Sequence, residues 1–288
     1  MPELPEVERV RRSLEPHLVG SFIQGVWVFR QDIIEPGPGG ARTAYDLLNG
    51  SRVAEIRRHG KQLAIVAEDR RAVCVHLGMT GQLFVQPGRS AINGQEHRHA
   101  AWGLEPAGAR LIFRDPRRFG GLWTFRNVRA LEERWQALGP DALAITGVQL
   151  HQGLHSAARP SRRTIKAALL DQGLLAGVGN IYADEALFAA HIHPRRPAGK
   201  LTAAECERLA DELRAVFARA LQAGGSTLRD FVDGDGQPGR YGLQHAVYGR
   251  GGELCPNCRA TLKSITLAQR TTVFCVTCQP LNKRRNRP

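Results

Sequence analysis

The sequence predicts an α+β protein: an N-terminal helix, a two-layer β domain, a helical domain and a C-terminal β-hairpin held by a metal. Three observations carry this prediction. Apolar residues recur at helical spacing over the first eighteen positions, short apolar or alternating runs fill residues 21–126, and two Cys-x-x-Cys pairs lie near the C-terminus. At 288 residues the chain exceeds the usual single-domain size, so separate cores are expected.

The opening helix places Val7, Val10, Leu14 and Leu18 three and four residues apart with charges between them, which is an amphipathic pattern. Pro2 and Pro5 sit at or before its first turn, where a missing N–H breaks no intrahelical bond, and Gly20 ends it. The runs FIQGVWVF, RVAEIRR, QLAIVAE, AVCVHLG, QLFVQ, HAAWGLE, RLIFRD and GLWTFR follow. Several hold β-branched or aromatic residues, and turns separate them at the intervals of a sandwich or barrel. PGRSAINGQEHR, between the fifth and sixth runs, reads as a surface loop.

From about residue 130 the texture is helical: 131–138 reads as helix and 139–160 as linker. The segment TIKAALLDQGLLAGVGNIYADEALFAAHIHP predicts two helices interrupted at Gly173, Gly177 and Gly179. Thr202 and Glu205 form a capping box for a further helix. Its apolar face is Leu209, Leu213, Val216, Phe217 and Leu221, and Gly224 and Gly225 close it. The expected division is a β domain over 1–130, a linker over 131–150, a helical domain over 151–240, a metal module over 245–279 and a basic tail, KRRNR, within 280–288.

Lys and Arg outnumber Asp and Glu by 40 to 27, a net charge of +13, with a pI near 10.2. Such a balance favours a polyanionic partner, and composition alone leaves nucleic acid and anionic membrane both open. No run approaches the roughly 18 apolar residues of a spanning helix. The start MPELPEVERV is acidic and unlike a signal peptide, so an intracellular protein at the nucleoid is expected. Cys74 and Cys206 stand alone and read as packing residues.

Cys255, Cys258, Cys275 and Cys278 supply four thiolates in two pairs, separated by sixteen residues. That number and spacing suit one tetrahedral structural zinc; iron would also accept four thiolates, but nothing argues for redox chemistry. Between the pairs, ATLKSIT and TTVFC read as strands and LAQR as their tip, near which Arg270 lies. A metal-pinned hairpin can push one arginine into a groove; a solvated turn arginine is the plainer alternative.

Met1 is followed by a small residue, so its removal would expose Pro2 as a free secondary amine. An α-amine has a pKa near about 8, well below lysine, and is partly uncharged and nucleophilic at neutral pH. Attack on a sugar C1′ displaces the base and leaves an iminium, which acidifies the C2′ proton and opens elimination of the 3′ and then the 5′ phosphate. Glu3 could move protons at the ring oxygen or the departing base, although a Glu is favoured at a helix start by the helix dipole alone.

PELPEVE at the N-terminus, HLGMTG at 76–81, DPRRFGG at 115–121, GVGNIYADE at 177–185, VYGRGGELC at 247–255 and the AQR-bearing four-cysteine finger stand in this order. Together they resemble the formamidopyrimidine-DNA glycosylase family over residues 2–279. The resemblance implies an N-terminal two-layer β-sandwich fronted by a catalytic helix, then a helix-two-turns-helix domain and a β-hairpin zinc finger, with DNA in the cleft between domains. It implies a monomer acting on damaged double-stranded DNA, with Pro2 as Schiff-base nucleophile, Glu3 as the acid and Lys61 in RRHGKQL as a phosphate contact that assists β-elimination. His76, Asn180 and Arg270 match the family's phosphate clamp, Arg270 serving δ-elimination as well, and Asn180 stands at a glycine-lined helix start that suits phosphate. His97, Arg117, Arg162, Arg163 and Lys166 would hold further backbone. Met79, Arg117 and Phe119 resemble the trio that fills the gap left by an everted base.

Leu4, the complete trio and the glycine-rich stretch DFVDGDGQPGRYG at 230–242 favour the branch acting on 8-oxoguanine and formamidopyrimidines. Two alternatives stay open. One is an endonuclease VIII-like enzyme for oxidised pyrimidines, and the other is a non-catalytic zinc-finger protein that binds damaged DNA. The binder has no need of Pro2, Glu3 and Lys61 together. Gly60, where alanine is commoner, is a small departure.

Overall fold

The computed structural model describes residues 2–88, 97–156, 162–227 and 231–281. Most of the loop expected over PGRSAINGQEHR, Asp230 and the basic tail lie outside the described residues. The chain forms two compact units, Met1–Ala137 with Ala220–Gly242, and Leu138–Arg219 with Leu243–Pro288.

The first unit begins with α1 (Leu4–Leu18), which starts at a capping box: Glu3 accepts the Glu6 N–H, and the Glu6 carboxylate accepts the Glu3 N–H at 2.8 Å. Such reciprocal bonds satisfy donors that have no partner inside the helix. Gly20, at φ +81, ends the helix in a conformation only glycine enters cheaply. The strands are β1 (Phe22–Val28), β2 (Ile34–Pro36), β3 (Val53–His59), β4 (Gln62–Ala67), β5 (Ala72–His76), β6 (Gln82–Gln86), β7 (Arg98–Glu105), β8 (Ala109–Arg114) and β9 (Gly121–Phe125). They form a four-stranded sheet ordered β1-β7-β8-β6 and a five-stranded sheet ordered β2-β9-β5-β4-β3. All eight expected runs are strands. The addition is β2, three residues long and parallel to β9.

One buried cluster joins Val7, Val10, Leu14 and Leu18 to Leu63, Ile65, Val73 and Val75 of one sheet and Leu83, Trp102, Leu111 and Phe113 of the other. The amphipathic stripe therefore packs against both layers. The reverse face of the five-stranded sheet buries Ala64, Val66 and Cys74 beside Leu131 of α2 (Val128–Gln136). Burial pushes the Cys74 thiol up to about 12, as an inert packing residue requires.

Ala220–Gly242 packs with the sandwich although the sequence places it beside the helical domain. Phe231 joins the sandwich core, Gly234 N–H donates to Ser13 Oγ at 2.8 Å, and Val85 N–H donates to the Gly234 carbonyl at 2.9 Å. Arg9 and Asp233 pair at 2.8 Å.

The second unit contains α3 (Gly147–His155), α4 (Ile165–Leu169), α5 (Asn180–Ala189) and most of α6 (Ala203–Gln222). The stretch read as a linker, 131–150, carries parts of α2 and α3, because Leu131 and Leu150 give each helix a buried residue. The expected box at α6 is present: Thr202 Oγ1 accepts the Glu205 N–H at 3.3 Å, and Glu205 accepts the Thr202 N–H at 2.9 Å. The unit ends in the hairpin of β10 (Lys263–Leu267) and β11 (Arg270–Phe274). Among the described residues, no helix is long and apolar enough to cross a membrane.

Candidate nucleic-acid interface and active site

Pro2 and Glu3 are buried at the head of α1. Glu6 ties the Glu3 backbone: one of its oxygens accepts the Ser226 N–H at 2.7 Å while the other accepts the Glu3 N–H. Lys61, 9% exposed, stands in the two-residue turn between β3 and β4, closed by the pair His59 and Gln62. Gly60 precedes it at φ +56, which suits the first central position of a tight hairpin turn. Gln62 pairs with His76 across β4 and β5, so Lys61 and His76 share one end of the sheet.

Burial, then the charges of Lys61 and Arg134, push the His76 pKa below its ordinary value. Its Nδ1 accepts the Gly78 N–H at 3.3 Å, which leaves the proton on Nε2. His76 is therefore a neutral hydrogen-bond donor near neutral pH. Its contribution to stability is present above the ordinary histidine value of 6.5 and is lost as pH falls.

Met79 and Phe119 are 41% and 54% exposed, so neither belongs to the sandwich core. The Arg117 guanidinium lies 4.8 Å from the centre of the Phe119 ring. Two loops bring the trio together. A Cβ on Gly78 would sit 2.3 Å from the Phe119 carbonyl carbon, so only glycine permits this approach. Asp115, fully buried, ties the loops: it accepts from Thr80 Oγ1 at 2.5 Å, Gly120 N–H at 2.7 Å and Arg117 N–H at 3.3 Å.

Replacing Asp115 with alanine strands these donors, and a loss of about 3 kcal/mol in unfolding free energy is expected, together with weaker duplex binding. Urea titration measures it; a loss below about 0.5 kcal/mol would mean that the carboxylate does not hold the loops.

His97 is exposed and, with Arg30, Arg98 and Arg118, lines a cationic cleft beside Pro116. Arg30, Arg98 and Arg118 are cations of this cleft that no sequence motif singled out.

In the second unit Asn180 opens α5, and its Nδ2 donates to the Thr271 carbonyl at 2.9 Å. Arg162 is exposed, and Arg163 is half-buried against Asp171 at 2.9 Å. Lys166 departs from the expected phosphate contact: its side chain is 0% exposed, and Nζ donates to Asp184 at 2.6 Å and to the Asn180 carbonyl at 2.9 Å. It lies on the buried face of α4 with Ile165 and Leu169, where a cation persists only with such partners. Lys166 thus braces Asn180 instead of reaching solvent.

The two acidic residues of α5 anchor the finger. Asp184 accepts the Val273 N–H at 3.1 Å, and Glu185 accepts the N–H groups of Ala246, Val247 and Tyr248 at 2.8, 2.9 and 2.8 Å. No side-chain spacing signals such a role, because the partners are backbone groups far along the chain. Arg270 is exposed next to a tip in which Ala268 and Gln269 both hold left-handed backbones, φ +48 and +57. Each costs about 1–2 kcal/mol relative to glycine, so the anchors below must hold the tip.

The Sγ atoms of Cys255, Cys258, Cys275 and Cys278 lie within 4.8 Å of one another, with Cys255 to Cys278 at 3.8 Å and Cys258 to Cys275 at 3.4 Å. Four thiolates around zinc, with Zn–S of about 2.3 Å, stand roughly 3.8 Å apart, so the set fits one zinc closed to further ligands.

Three family models match: formamidopyrimidine-DNA glycosylase N-terminal domain over 1–122, formamidopyrimidine-DNA glycosylase H2TH domain over 138–232, and the zinc finger found in FPG and IleRS over 252–281. A curated relative from Xanthomonas euvesicatoria pv. vesicatoria (strain 85-10), named formamidopyrimidine-DNA glycosylase, is 43% identical over 281 residues, 97% of this chain and 100% of its own. The wild-type Lactococcus lactis Fpg (MutM), solved with DNA containing N7-benzyl-Fapy-dG, superposes with a TM-score of 0.84 at 31% identity, covering 97% of this chain and 100% of that one. A MutM solved with DNA containing carbocyclic 8-oxo-G gives a TM-score of 0.83 at 30% identity, again covering 97% and 100%.

Proposed function

The chain belongs to the formamidopyrimidine-DNA glycosylase family, and from that premise we propose that it excises 8-oxoguanine and formamidopyrimidines from duplex DNA and then cleaves the abasic strand. The observation that carries this reading is the exposed trio of Met79, Arg117 and Phe119. Two large apolar side chains held out of a core, with a planar cation over one of them, suit the space an everted nucleotide leaves behind.

The uncharged Pro2 nitrogen attacks C1′, the bond from C1′ to the base breaks, and the base departs with a proton. Glu3 supplies a proton at the ring oxygen as the sugar opens. The resulting iminium withdraws electrons from C2′, which loses a proton as the 3′ phosphate leaves; loss of a proton from C4′ then expels the 5′ phosphate. Lys61 and the neutral Nε2–H of His76 contact phosphate at one end of the sheet, and Asn180 and Arg270 do so from the second unit. The zinc cross-links the finger that carries Arg270. His97, Arg117, Arg162 and Arg163 add backbone contacts, and the protein works as a monomer on nucleoid DNA.

Borohydride trapping across a lesion panel tests the reading. A covalent species is expected with abasic and 8-oxoguanine duplexes, and 8-oxoguanine opposite cytosine should be excised faster than thymine glycol. No trapped species with any lesion would leave only the zinc-finger binder, whereas much faster release of thymine glycol would move the chain to the pyrimidine branch.

A further inference from the structure

The turn that carries Lys61 is a glycine followed by the lysine, and glycine gives a backbone the widest conformational freedom. A catalytic ammonium mounted there needs an external tie. Arg58, on β3, supplies one: its Nη1 donates to the Gly60 carbonyl at 3.2 Å, and its Nε donates to Glu8 Oε2 at 2.9 Å. Both side chains of that ion pair are only 7% exposed. Glu8 lies on α1, five residues beyond Glu3, and also accepts from Arg11 and Arg12.

We propose that Glu8 and Arg58 are positioning residues that set the register between the Pro2 amine at the head of α1 and the Lys61 ammonium. One guanidinium spans both, because its planar fork can face a carboxylate and a carbonyl at once, which a lysine ammonium on a flexible stem cannot reproduce. Burial raises the Glu8 pKa, but the bonds from Arg11, Arg12 and Arg58 outweigh it and hold the carboxyl at about 2, so the tie is intact at every working pH. The inference rests on the reading of Lys61 as the lysine that assists β-elimination.

The test uses the full-length protein on a preformed abasic duplex in single turnover, following iminium formation by borohydride trapping and strand cleavage separately, each normalised to the trappable fraction. Arg58→Ala and Glu8→Gln are expected to slow cleavage about tenfold, the scale of a sub-ångström misplacement, while trapping rate and duplex affinity stay within about twofold. Arg58→Lys, which keeps the charge and folds where alanine fails, should be slow in the same step. Because Arg58 acts through Lys61, Arg58→Ala/Lys61→Ala should cleave no more slowly than Lys61→Ala alone. Wild-type cleavage per trapped molecule in the Arg58 variants, or effects of Arg58 and Lys61 that multiply, would overturn the positioning role. Wild-type cleavage by Lys61→Ala would instead overturn the reading of Lys61 on which the proposal rests.

Discussion

Protein that retains Met1 should form no borohydride-stable adduct with an abasic duplex, its trapping rate falling below about one thousandth of that of the processed chain. With Met1 in place the Pro2 nitrogen is a tertiary amide, its lone pair delocalised into the carbonyl and no longer nucleophilic. Pro2→Gly keeps an α-amine and should trap more weakly without losing the adduct. Mass spectrometry of the N-terminus, run beside the trapping assay, checks both. Full trapping by Met1-bearing protein would assign the nucleophile to another amine.

Removing zinc should cost the second unit its finger and leave the sandwich folded. Among the described residues, the buried cluster around the cysteines is Phe188, Val247, Leu262 and Val273 with Cys255 and Cys275, against which Ala246, Ala260 and Cys278 pack, too small to repay the entropy of ordering the hairpin. Metal binding in such modules contributes about 10–16 kcal/mol, so binding and folding are one event. Without it Arg270 loses its mount and Asn180 loses the Thr271 carbonyl it donates to. With Arg270 and Asn180 as the phosphate contacts proposed above, losing both at about 1.5 kcal/mol each is expected to weaken duplex binding roughly a hundredfold. Chelation or Cys258→Ser, followed by proteolysis of the hairpin and a duplex titration, measures this. A zinc-free protein whose hairpin resists protease and whose affinity holds would show that the metal is dispensable.

The α+β class, the strand runs and the cysteine set were readable because each rests on a repeating or paired local pattern. The short parallel β2 escaped, since Ile34–Pro36 is too brief to show alternation and its partner β9 lies far along the chain, Ile34 pairing with Leu122. Lys166, assigned by resemblance to a backbone phosphate contact, is buried instead, for a related reason. Spacing reports where a charge falls along the chain, whereas its burial is decided by Asp184, eighteen residues away on another helix. Asp115, Glu6 and Glu185 are silent for a different reason: each accepts backbone N–H groups, which every residue offers. The catalytic assignments came from resemblance to a family, since a Pro-Glu pair at a helix start is also what capping and the helix dipole favour.

Ala220–Gly242 returns to the first unit long after that unit's strands have been laid down. A nascent chain leaves the ribosome N-terminus first, and the sandwich strands follow by Phe125. Ser226, which completes the hold of Glu6 on the Glu3 backbone, and Phe231, which joins the core, are not yet made. At ordinary elongation rates that interval is on the order of ten seconds. A product truncated before Ser226 lacks the N–H that Glu6 accepts, so the hold at the head of α1 is completed only after α3, α4, α5 and α6 have been synthesised.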